Sequence, residues 1–98
     1  MLLKTIDEVD KDLAKRVRYQ RKKRGYTQIQ FASKCNVPYG TYKKFEQTGE
    51  ISLSGLTKIA AALDMAEEID NLFARKAYSS IDEVVKDYEK YEKTGRIY

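Results

Sequence analysis

The chain has 98 residues, of which 42% are hydrophobic and 35% charged, and this predicts one helical, well-solvated domain with room for a single core. The sequence contains no histidine, which excludes histidine acid–base chemistry, histidine-dependent nucleophiles and histidine-ligated metal sites. The single cysteine, Cys35, excludes an intrachain disulfide framework and a cysteine zinc site, and it favours a reducing cytoplasm. The longest apolar run covers residues 59–63, so we expect no membrane span.

The net charge of +4 is distributed unevenly along the chain. Residues 13–46 contain ten basic residues and one acidic residue, a net charge of +9, whereas residues 47–73 contain one basic and five acidic residues, a net charge of −4. A compact basic segment is the electrostatic footprint expected of a protein that binds a polyanion. The alternative is a lysine- and arginine-rich helix face that is simply solvated.

The first two predicted elements are helices. Thr5 and Glu8 fit a capping box that opens the first helix, and Gly25 is expected to end it. Thr27 is the predicted N-cap of a short second helix within residues 27–35. The apolar residues expected to face the core are Ile6, Val9, Leu13 and Val17 in the first helix, and Ile29, Phe31, Ala32 and Cys35 in the second.

A tight turn is predicted to join the second helix to a third. Asn36 tolerates the left-handed backbone that such a turn needs. Pro38 suits the first turn of a helix over residues 38–47, because its missing N–H would be unpaired there. Within this helix we expect Tyr42 and Phe45 to be buried in the core rather than to read bases.

Three further elements follow. Ser52 or Ser54 is expected to cap a fourth helix, and residues 64–73 are expected to form a turn and a short fifth helix. A second capping box at residues 80–83 predicts a C-terminal amphipathic helix. The expected inward residues are Leu53, Leu56, Ile59, Ala60 and Leu63, then Ile69, Leu72 and Phe73, then Ile81, Val84, Val85, Tyr88 and Tyr91.

Two short helices joined by a turn of two or three residues have the shape of a helix-turn-helix, whose second helix enters the DNA major groove. Residues 13–73 resemble the Xre/Cro-type helix-turn-helix domains of phage repressors and bacterial regulators. The matching residues are Arg16, Val17, Arg21, residues 25–28, Phe31, Ala32, Val37, Thr41, Tyr42, Phe45, Glu46, Leu53, Leu56, Ile59, Ala60, Leu63, Leu72 and Phe73. Residues 45–53 are similar to the HipB-like antitoxin branch.

The resemblance implies an all-α, five-helix fold of the lambda-repressor type, to which the second capping box adds a C-terminal amphipathic helix. It implies that Tyr39, Thr41 and Lys44 occupy base-facing positions of the third helix. Lys43 is expected to meet a phosphate, and Gln28 is expected to bond a phosphate at the N-terminus of the second helix.

The remaining implied roles are structural. Thr27 caps the second helix and is a further candidate for phosphate contact, whereas Arg21 and Glu46 match the internal ion pair of the family. The chain departs from the family pattern at three positions. Pro38 stands where the family usually has a serine or threonine that caps the recognition helix. Asn36 stands where the turn usually has glycine, and Gly40 places no side chain at a base-facing position.

We therefore expect residues 1–73 to form a DNA-binding domain with its motif at 27–47, and residues 74–98 to form an extension for dimerisation or partner binding. The leading hypothesis is a cytoplasmic, sequence-specific regulator, a repressor that binds double-stranded DNA as a homodimer without a cofactor. The alternatives are an antitoxin that also binds a cognate toxin protein, and a protein-interaction module without DNA binding. We expect no enzymatic activity, because the sequence lacks a phosphate-binding glycine loop and evident paired carboxylates.

Overall fold

The computed structural model describes residues 3–74 and 88–89 of the chain. Within that part of the chain every regular element is an α-helix, which confirms the all-α prediction and the count of five helices before the C-terminal extension. The helices are α1 (Ile6–Lys23), α2 (Gln28–Cys35), α3 (Tyr39–Thr48), α4 (Leu53–Ala62) and α5 (Ala66–Asp70).

Helix starts follow the predicted capping residues. The Thr5 hydroxyl accepts a hydrogen bond from the Glu8 N–H, and the Ser52 hydroxyl accepts one from the Gly55 N–H, so Ser52 rather than Ser54 caps α4. At α2 the reciprocal capping box is complete: Thr27 Oγ1 accepts from the Gln30 N–H at 3.1 Å, and Gln30 Oε1 accepts from the Thr27 N–H at 2.9 Å. These side chains satisfy backbone donors that a helix N-terminus leaves unpaired.

Helix ends are fixed by left-handed residues. Gly25 has φ +79° directly after the C-cap of α1, and Asn36 has φ +57° at the end of α2, as predicted. Gly49 ends α3 with φ +80° and donates its N–H to the Phe45 carbonyl at 2.8 Å. Pro38 is the N-cap of α3 rather than part of its first turn, so this helix begins at Tyr39, one residue later than predicted.

The core lies where α1, α2, α3 and α4 meet. Helix α3 packs against α1 and α2, α2 also packs against α4, and α5 packs against α4. The rings of Phe31 and Tyr42 meet edge to face with their centroids 5.3 Å apart, a favourable aromatic geometry. The buried residues are Ala14, Val17, Phe31, Ala32, Cys35, Val37, Tyr42, Phe45, Ile59 and Leu63.

Several residues predicted to face the core are exposed instead. Ile6 lies one turn before Asp10, the point at which α1 meets Gly49, and it is 76% exposed. Ile29 lies off the narrow buried stripe of the eight-residue helix α2, and its side chain is 62% exposed. Leu53 is 71% exposed, whereas Ile51, two residues earlier, packs against the core.

The fifth helix ends before two of the three apolar residues that were predicted to anchor it. Helix α5 ends at Asp70, and the chain then turns, with Phe73 at φ +59°. Ile69 is half-buried, whereas Leu72 and Phe73 are exposed. The predicted C-terminal capping box and most of the predicted amphipathic helix lie outside the described residues; Tyr88 and Glu89 have helical backbone and are exposed.

Candidate nucleic-acid interface

Helix α3 has two distinct sides. Tyr42 and Phe45 are completely buried, and they fix the helix against α1 and α2. Tyr39, Thr41, Lys43 and Lys44 are exposed, so all four predicted DNA-contacting residues of this helix lie on the side away from the core. Gly40 is exposed among them, and apart from its chain neighbours and the backbone of its own helix nothing lies within 4 Å of where a Cβ would be.

The exposed lysines of α3 have different neighbours. Lys43 Nζ lies 6.0 Å from the centre of the Tyr39 ring, at the outer range of a cation–π contact. Lys44 Nζ lies 3.2 Å from Glu50 Oε2 in an exposed ion pair. The Lys44–Glu50 pair was not predicted, because Glu50 lies beyond the end of α3 and only the turn of the chain there brings its side chain next to Lys44.

The predicted ion pair between Arg21 and Glu46 is present and buried. Arg21 Nε donates to Glu46 Oε2 at 2.7 Å, and Arg21 Nη2 donates to Glu46 Oε1 at 3.1 Å, which gives the bidentate geometry of a strong pair. The exposed fractions of the two side chains are 8% and 4%. Arg21 Nη1 also donates to the Tyr26 carbonyl at 2.8 Å, so the guanidinium joins α1 both to α3 and to the loop before α2.

Two further side chains bond to the Glu46 carboxylate. The Tyr42 hydroxyl donates to Glu46 Oε2, and Gln28 Nε2 donates to Glu46 Oε1 at 3.0 Å. The sequence contains a signal for the first of these contacts, since Tyr42 and Glu46 are four residues apart on one helix. The Gln28 contact was not predicted: its amide bonds to the buried carboxylate and still has a second N–H available.

The network shifts the pKa values of its members in consistent directions. Burial alone would raise the pKa of Glu46, but hydrogen bonds from Arg21, Tyr42 and Gln28 outweigh it, so the pKa is lowered. The hydrogen bond to Glu46 raises the pKa of Arg21. Burial, together with the bond to Glu46, raises the pKa of Tyr42. Glu46 is therefore ionised, and Tyr42 is a neutral hydrogen-bond donor.

The N-terminus of α2 borders a shallow open depression next to this network. Thr27 and Gln28 line it, together with Arg18 of α1 and Gln47 of α3. The Thr27 hydroxyl is engaged in the capping box, and Gln28 is half-buried. The depression thus brings the predicted α2 residues next to an exposed cation, Arg18, which was not among the predicted site residues.

Comparison with known proteins adds to this geometry. A family model described as helix-turn-helix matches residues 17–69, more than half of the chain. The chain belongs to the Xre/Cro-like helix-turn-helix family. No curated protein and no solved structure matches it.

Membership of the Xre/Cro-like family identifies a DNA-binding regulator. The family match begins inside α1 and ends within α5, so it contains the whole of α2, α3 and α4. It does not distinguish the HipB-like branch. In the part of the chain that the structure describes, no helix is long and apolar enough to cross a membrane.

Proposed function

We propose that this protein is a sequence-specific transcriptional repressor, which binds a palindromic operator as a homodimer with α3 in the major groove. The observation that carries the proposal is the two-sided structure of α3. Tyr42 and Phe45 anchor one side in the core, while the other side presents polar and basic side chains to solvent. A helix of this kind on a basic surface fits the width of the major groove.

The exposed side of α3 supplies the chemistry of base recognition. We assign Lys44 to guanine O6 and N7, and Thr41 to a methyl or hydrogen-bond contact with a base edge. Tyr39 is assigned to a thymine methyl or a phosphate. Lys43 is assigned to a phosphate, a contact that adds affinity without sequence preference.

The N-terminus of α2 supplies phosphate contacts. The second N–H of the Gln28 amide is free to bond a phosphate oxygen while the first remains on Glu46. The N-terminal end of the α2 dipole and the nearby Arg18 favour an anion at this position. We assign Thr27 to the same phosphate as a secondary contact, since its main role is the capping box.

Repression by occlusion of the promoter is the simplest mechanism for such a domain. The segment with net charge +9 contains α2 and most of α3, so we expect binding to weaken steeply as salt is raised and counterion release becomes less favourable. We assign residues 74–98 to dimerisation or partner binding.

Selection of bound DNA from a random pool, followed by footprinting of the selected sequence, tests the proposal. We expect an inverted repeat whose half-sites are about 10–10.5 base pairs apart, because two recognition helices about 34 Å apart meet successive major grooves. Failure to enrich any sequence would contradict sequence-specific binding. An enriched sequence without two-fold symmetry would contradict the homodimer.

A further inference from the structure

A carboxylate lies at the end of the proposed recognition helix, where a DNA-binding surface would be expected to carry positive charge. Glu50 Oε2 is 3.2 Å from Lys44 Nζ, and the side chains are 68% and 64% exposed. Within the motif's basic surroundings this carboxylate would lie near DNA phosphates and would repel them. Because Glu50 would weaken DNA binding in general, its position next to a proposed base-reading lysine suggests a role in specificity instead.

The end of α3 places this carboxylate next to Lys44. The Thr48 hydroxyl donates to the Lys44 carbonyl at 2.8 Å and accepts from the Glu50 N–H at 3.1 Å. Gly49, at φ +80°, turns the chain back at the same point. The backbone position of Glu50 therefore follows from the way the helix ends, and it keeps the carboxylate within reach of Lys44.

We propose that Glu50 is a specificity-determining residue, which holds the Lys44 ammonium for base contact and keeps it from binding phosphate. The proposal rests on the proposed DNA-binding function and on the assignment of Lys44 to a base edge. It adds a residue whose effect is to weaken binding to the wrong DNA, a recognised route to specificity.

The two modes of DNA binding place different demands on this ion pair. An ammonium group has three N–H donors, so Lys44 can donate one to Glu50 and still reach guanine O6 and N7 with the others. A phosphate contact by the paired lysine would instead bring a phosphate oxygen beside the Glu50 carboxylate, and the repulsion between these two anions favours Lys44 leaving Glu50 first. An exposed pair is weak enough to break in this way, and the loss falls on non-specific binding alone.

The test is Glu50→Gln, measured with the selected operator and with random DNA at several salt concentrations. We expect random DNA to bind about fivefold more tightly, the scale of an exposed ion pair. Its log–log salt slope should steepen by about 0.9, the value for one additional phosphate contact. Operator affinity should stay within twofold, so the ratio of the two affinities should fall about fivefold.

Two controls separate this effect from a general change of charge. Glu67→Gln removes the same charge from α5, a helix that packs against α4, and should leave the affinity ratio unchanged. In a Lys44→Ala background, Glu50→Gln should no longer alter the ratio. An equal gain on both DNAs, or a ratio that changes without Lys44, would overturn the proposal. If the wild-type protein bound no DNA at all, the proposed function itself would fail.

Discussion

Glu46 is the side chain at which α1, α2 and α3 are joined. Its carboxylate accepts hydrogen bonds from Arg21, Gln28 and Tyr42, and its side chain is 4% exposed. A buried ion pair of this kind does not by itself add net stability, since both charges lose water. Removing one partner is costly, however, because the other charge is left buried and unpaired.

We expect Glu46→Gln to lower the free energy of unfolding at pH 7 by about 3 kcal/mol, because Arg21 loses its counter-charge. Urea unfolding followed by circular dichroism measures this. Glu50→Gln is the matched control: it makes the same chemical change in an exposed pair and should leave the free energy of unfolding nearly unchanged. Equal effects of the two variants would contradict the role assigned to the buried pair.

The same carboxylate predicts a loss of stability in acid. The folded-state pKa of Glu46 is lowered from its ordinary value of 4.5, so its stabilising contribution is complete above that value and is lost as the pH falls through the folded-state pKa. The wild-type protein should therefore lose more unfolding free energy than Glu46→Gln between pH 5 and pH 3. Asp12, whose pKa is lowered by the hydrogen bond from Lys4, is present in both proteins and cancels in the comparison. Parallel pH profiles would contradict this.

The lysines of α3 give the residue-level prediction for DNA binding. Lys44→Ala should weaken the selected operator about tenfold or more and random DNA far less, since one base contact contributes about 1–3 kcal/mol of discrimination. Lys43→Ala, its neighbour, should weaken both DNAs by the same factor, as expected for a phosphate contact. Mobility-shift titrations measure both effects. If Lys44→Ala weakened all sequences equally, its assignment to base reading would be wrong.

At the scale of elements, Gly40 within α3 and Gly49 at the end of α3 should respond in opposite directions to substitution by alanine. A Cβ on Gly49 would lie 2.6 Å from the Asp10 carbonyl carbon, and the residue has φ +80°. Gly40 has helical backbone, and a Cβ there would meet nothing within 4 Å beyond its chain neighbours and the backbone of its own helix. Space and backbone angle, rather than residue type, therefore decide the sign of each effect.

We expect Gly49→Ala to destabilise the protein by about 2 kcal/mol or more, from backbone strain and from the clash with α1. Gly40→Ala should stabilise it by about 0.8–1 kcal/mol, the difference in helix propensity. Thermal and urea unfolding measure both. Gly25→Ala is an intermediate control, since Gly25 has φ +79° but open space around it. If Gly40→Ala destabilised the protein, this would contradict the open space that the structure shows around a Cβ at this position.

At the scale of the whole molecule, the sequence predicts where helices begin and end better than it predicts which side of each helix is buried. Thr5, Thr27, Asn36 and Ser52 were identified from local rules, because capping and left-handed turns depend on residues adjacent in the chain. Exposure depends on which partner helix lies opposite. For that reason Leu53 was wrongly assigned to the core, where Ile51 packs instead.

In the candidate site, too, some contacts could be predicted from the sequence and others could not. The family resemblance supplied Arg21 and Glu46 as a pair, and the structure shows that pair in contact. It could not supply the bond from Gln28 to Glu46 or the pair between Lys44 and Glu50, which depend on side chains meeting through the fold. Each unpredicted contact involves a residue that we propose to contact DNA, Gln28 or Lys44. The fold therefore limits how freely these two side chains can move to reach DNA.

The two sides of α3 share no residues, and this separation bears on how the protein can change over evolutionary time. Tyr42, Phe45 and Glu46 hold the helix in place, whereas Tyr39, Thr41 and the two lysines are exposed and are not members of the core cluster. Substitutions on the exposed side therefore leave the folding free energy largely intact. A duplicated gene could acquire a new operator through a few such changes, while the scaffold beneath them remained nearly invariant.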